Sequence, residues 1–92
     1  MPGLALGSAA HASVADGVEK WQAGQYGAAV ALWQPYAARG DADALFNLGQ
    51  AYKLGRGVTK DALIAQGYYR RAAEKGHAPA ATNLGILLAQ GG

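Results

Sequence analysis

The chain has 92 residues, the size of one small unit and too short for a second catalytic domain. Hydrophobic residues make up 51% of it and charged residues 15%, too apolar for a disordered chain, yet no stretch approaches the roughly 20 apolar residues of a membrane span. The formal charge is +2, and Lys and Arg are dispersed apart from the Arg70-Arg71 pair, which argues against the dense basic stripe of a nucleic-acid binder.

Much of the apolar fraction is alanine, and 14 glycines accompany it, so the expected core is thin. The absence of cysteine removes disulfides and thiolate metal sites. Two histidines, His11 and His77, are too few and too far apart for a histidine cluster. Stability must therefore come from helix packing, within the chain or between chains.

Glycine and aspartate divide the sequence into five helical segments, and no window shows the β-branched alternation of a strand. The first segment runs from about Ser13 to Ala23. The second runs from about Tyr26 to Ala38, with a stop at Arg39-Gly40 and a bend expected at Pro35, which removes one backbone hydrogen bond. Asp41 is the expected N-cap of the third, where Leu45, Leu48 and Tyr52 recur at helical spacing. The fourth begins near Asp61 and carries Ala62, Ala65, Tyr69 and Ala72 on one stripe. The fifth begins near Ala78, with Pro79 in its first turn, and holds Leu84, Leu87 and Leu88.

Compared with itself at an offset of 36 residues, the chain aligns Ala29 with Ala65, Trp33 with Tyr69, Gly40 with Gly76, and Asn47-Leu48-Gly49 with Asn83-Leu84-Gly85. A period two helices long predicts an α-solenoid. The recurring glycine after a leucine suits a helix that a neighbour approaches closely.

Asp41 to Gly76 resembles one complete Sel-one-like repeat, of the tetratricopeptide superfamily. The resemblance rests on Ala44, Asn47-Leu48-Gly49, Tyr52, the Gly55-Arg56-Gly57-Val58 loop, Asp61, Tyr69, Ala72-Ala73 and Gly76. Residues 13–40 resemble a preceding unit with a shorter turn, and residues 77–92 the first helix of a following one. In the first unit Lys20 stands where Tyr52 stands in the second, with Trp21 one residue later. The resemblance implies an all-α, right-handed α-α superhelix of about two and a half repeats. It also implies scaffold or adaptor work on a protein or peptide partner, with no cofactor and no enzymatic activity.

In such repeats the first helices of successive units line a groove. Asp43, Phe46, Gln50 and Lys53 share one face of the third segment, and together with Asn47 they are the expected protein-binding residues. Phe46 serves either as a peptide anchor or in packing between helices, with packing favoured. Asn47 and Asn83 serve either to bond a neighbouring helix backbone or to contact a ligand, with the backbone bond favoured, and Tyr68, Arg70 and Arg71 are expected to form a solvated outer face. The last helix is not a polar cap, so Leu84, Leu87 and Leu88 suggest self-association, as a homo-oligomer or a helix-exchanged dimer. Two further readings are a spacer at the start of a longer envelope-associated solenoid and a small adaptor or inhibitor covering a partner's surface.

Residues 1–12 form a separate extension. Ala10-His11-Ala12 has the A-x-A form of a signal-peptidase site, which slightly favours a periplasmic location. The Gly55-Arg56-Gly57 loop follows a helix and lacks the Gly-Lys-Ser/Thr ending of a phosphate loop, so it reads as a helix stop and a turn. Asp16, Glu19, Asp41 and Asp43 lie at helix starts, where carboxylates complement the macrodipole.

Overall fold

The computed structural model describes residues 13–91, which form five helices: α1 (Val14–Gln22), α2 (Tyr26–Ala38), α3 (Ala42–Leu54), α4 (Ala62–Glu74) and α5 (Ala78–Ala89). The expected extension at residues 1–12, with its A-x-A segment, lies outside the described residues. Each helix packs mainly on the next, as in a solenoid whose repeats touch only their neighbours.

Local chemistry sets the boundaries. Ser13 and Asp16 form a capping box, each side chain accepting from the other's backbone N–H at 3.3 and 2.8 Å. Asp41 accepts from Ala44 N–H at 2.9 Å to start α3, and Asp61 accepts from Ile64 N–H at 3.0 Å to start α4. The fifth cap is a histidine: His77 Nδ1 accepts from Ala80 N–H at 3.2 Å. Pro35 lies inside α2, which continues to Ala38.

The core is thin, as expected. Seven of its thirteen buried hydrophobic residues are alanine, and Trp33 and Tyr69 supply its bulk. Two glycines make room for these rings. A Cβ on Gly49 would lie 2.6 Å from the Tyr69 ring, and one on Gly17 would lie 2.3 Å from Trp33 Nε1. The recurring glycine therefore does on α3 what its position suggested, seating the aromatic side chain of the following helix. The same device on α1 pairs Gly17 with Trp33, whose Nε1–H donates to Val14 C=O at 3.0 Å. Lys20 is exposed, and Trp21 supplies the packing of the first unit, with ring centroids 4.8 Å from Tyr26 and 5.6 Å from Trp33.

The loop after α3 ties the repeats together. Gly55 takes a left-handed conformation (φ 68°) that ends the helix, and Gly57 (φ 75°) passes so close to α2 that a Cβ would stand 2.7 Å from the Tyr26 carbonyl. Between them Arg56 reaches over the Tyr26 and Trp21 rings, at 5.1 and 5.9 Å from their centroids.

The expected solvated outer face of α4 needs correction. Arg70 and Arg71 are exposed as expected, although Arg71 Nη2–H also donates to Ala37 C=O at 3.3 Å near the end of α2, whereas Tyr68 is half-buried and stacks on Tyr52 at 5.7 Å and 20°. Short offsets between neighbouring helices bring these side chains to partners that spacing along α4 does not reveal.

Candidate functional site

The first helices α1, α3 and α5 bound a groove with two adjoining clefts. The first, about 150 Å³, lies between Val18 and Trp21 of α1 and Phe46, Asn47 and Gln50 of α3, with the buried Trp33 at its floor. The second, about 410 Å³ and more open, lies between Val14 and Val18 of α1, Asp43 and Phe46 of α3, and His77 and Pro79 at the start of α5. Val18, Phe46 and Asn47 line both, so they form the ridge where the clefts meet.

The ridge is firmly held. The Phe46 ring lies 4.8 Å from the His77 ring and 5.8 Å from the Tyr69 ring, so it packs between α4 and α5 while forming a wall of both clefts. His77 Nε2 lies 3.0 Å from Asp43 Oδ1. Because Nδ1 accepts the Ala80 cap bond, the ring carries its proton on Nε2 and donates it to Asp43. One imidazole thus starts α5, fixes α3 against α5 and supports Phe46.

A polar cluster braces the groove from behind. Tyr69 Oη–H donates to Gln50 Oε1, and Asn83 Nδ2–H donates to the same oxygen at 3.2 Å, linking α4, α3 and α5. Burial pushes the Tyr69 phenol up to about 12, against a smaller opposing effect of Asn83. This corrects the expectation for the two asparagines. Asn83 bonds a side chain, not a helix backbone, and Asn47 makes no side-chain hydrogen bond among the described residues. The Asn47 amide therefore faces the groove with donors and acceptor free.

Of the sequence-derived binding residues, the structure brings Asp43, Phe46, Asn47 and Gln50 to the clefts, whereas Lys53 is half-buried in the last turn of α3 and lines neither. Reasoning from α3 alone missed Val18, Trp21, Trp33 and His77. For Trp21 a signal existed, since it stands one residue beyond the position of Tyr52. At the other expected surface, Leu87 is 4% exposed and packs into the core, and Leu84 is half-buried. The free apolar side chains of α5 are Leu88, 51% exposed, and Ile86, 43% exposed.

No group of three or more His, Asp or Glu side chains among the described residues is placed to hold a metal, and no described helix is long and apolar enough to cross a membrane. Paired helices in chain order, with the first of each pair lining a shared groove, define an α-helical repeat protein. Residues 42–77, from the start of α3 to the cap of α5, match the Sel1 repeat, which is consistent with a Sel1-like, tetratricopeptide-like family. Sel1 repeats are generally protein-interaction modules, and their fold is non-catalytic. No curated protein and no solved structure matches the chain.

Proposed function

We propose that this protein is a non-enzymatic scaffold or adaptor that holds an extended segment of a partner protein along the α1–α3 groove. The observation that carries this reading is the meeting of two apolar-walled clefts at a free amide, that of Asn47. Alternate side chains of an extended peptide point the same way about 7 Å apart, which suits one apolar residue in each cleft with the intervening backbone on Asn47. Charges mark the two ends. Asp43 lines the open cleft, and Arg56 lies over Trp21, whose ring lines the other. A segment with a cation at one end and an anion at the other complements them.

Selection of binders from a random peptide display library tests the proposal. Selected peptides should carry paired apolar residues two apart, and their binding should drop about tenfold or more with Phe46→Ala or Asn47→Ala while helix content is kept. Binders indifferent to both substitutions would refute it.

A further inference from the structure

The outer side of α4 carries a hole built from its own side chains. Ile64, Gly67, Tyr68 and Arg71, at positions i, i+3, i+4 and i+7 of the helix, surround an open cleft of about 300 Å³. Four residues at that spacing form the hole that receives one knob when two helices pack side by side. Gly67 leaves its floor bare, and a Cβ built there meets nothing within 4 Å among the described residues. Two walls are held in place, Tyr68 by its stack on Tyr52 of α3 and Arg71 by its bond to Ala37 C=O at the end of α2. The hole thus lies on the side of α4 that faces the preceding helix pair.

Charge at one end of the hole is of one sign. Beyond Arg71, one turn along α4, Lys75 lies beside Gly40, where a Cβ would stand 3.0 Å from its Nζ. Between Ala37 and Gly40, Arg39 lies over the Tyr36 ring. None of these three cations forms a salt bridge among the described residues. Apolar walls, an empty floor and uncompensated positive charge therefore meet at one place.

We infer that this hole is a docking site for an acidic amphipathic helix of a partner protein. The incoming helix seats a leucine-sized side chain on Gly67, between Ile64 and Tyr68, and turns carboxylates toward Arg71, Lys75 and Arg39. A second copy of this chain has no such helix to offer. Of its six acidic residues, Asp16, Asp41 and Asp61 cap helices and Asp43 bonds His77, which leaves Glu19 and Glu74. Neither stands within one turn of an exposed large hydrophobic residue on its own helix.

The probe is a display library of single-helix, alanine-rich peptides with one face randomised. It is passed first over the Gly67→Leu chain, which removes peptides that bind elsewhere, and then selected on the unaltered chain. Enriched peptides should pair a large apolar residue with Glu or Asp one turn away, and a synthetic copy should bind saturably in calorimetry. Gly67→Leu should weaken that binding roughly tenfold or more, because the new side chain fills the hole. The substitution meets open space, so circular dichroism should show an unchanged fold. Arg71→Gln, or added salt, should weaken binding severalfold, since exposed charges are screened. No peptide that discriminates against Gly67→Leu, enriched peptides without acidic residues, or binding indifferent to Arg71→Gln would overturn the inference. So would a homodimer, detected by light scattering, that Gly67→Leu dissociates.

Discussion

Adding one methyl group to the recurring glycine should give opposite results at Gly49 and Gly85. At Gly49 the Cβ would lie 2.6 Å from Tyr69 Cδ1 and Cε1, whereas ordinary contacts begin near 3.4 Å. The ring must retreat by most of an ångström, yet it is fully buried and tethered to Gln50. Overpacking of this kind costs about 1–3 kcal/mol, and the better helix propensity of alanine returns about 1 kcal/mol, so Gly49→Ala should be net destabilising by up to about 2 kcal/mol. Gly85→Ala has no clash to offset and should stabilise the free chain by up to about 1 kcal/mol. The two variants should differ by up to about 3 kcal/mol, which at about 4–8 °C per kcal/mol for a domain of this size separates their melting temperatures by up to roughly 12–24 °C. Thermal unfolding followed by circular dichroism reads this directly. Equal melting temperatures, or a Gly85→Ala variant less stable than Gly49→Ala, would refute the socket argument.

Other expectations concern the cap, the phenol and the ridge. His77→Ala removes both the α5 cap and the bond to Asp43 and should cost about 1–2 kcal/mol in urea unfolding, while His77→Asn restores the cap and recovers most of it. Tyr69 has a raised folded-state pKa, so the folded form retains its phenolic proton where the unfolded chain has lost it. Its contribution is full below pH 10.0 and declines as pH rises to about 12, and Tyr69→Phe should flatten stability across that window. Phe46→Ala should lose about 1–2 kcal/mol of stability through its contacts with Tyr69 and His77 and still fold, so that its binding defect is measurable.

All five helices, with the Asp41 cap of α3 and the start near Asp61, were legible in the sequence because caps and stops are local: Asp41, Asp61 and the glycines act within one turn of where they stand. The α3 side of the groove was legible for the same reason, since Asp43, Phe46, Asn47 and Gln50 share one helix face by spacing alone. What spacing does not give is which neighbour a face meets. Leu87 turns toward the core while Leu88 stays outside, a difference that depends on where α4 lies. The same holds for His77, whose bond to Asp43 spans 34 residues, and for Trp21, which takes over from Lys20 only because the turn into α2 brings Tyr26 against it. The glycine repeat was visible, but only the placement of Trp33 and Tyr69 shows Gly17 and Gly49 to be sockets for the aromatic side chain of the following helix.

The central claim, that the α1–α3 groove receives a partner's peptide, is tested most directly by backbone NMR of the labelled chain titrated with a display-selected peptide. Shift changes should concentrate on Val18, Trp21, Phe46, Asn47 and the start of α5, with the outer face of α4 around Arg70 unmoved. Changes confined to α4 or to the open face of α5, with the ridge at Asn47 silent, would contradict it.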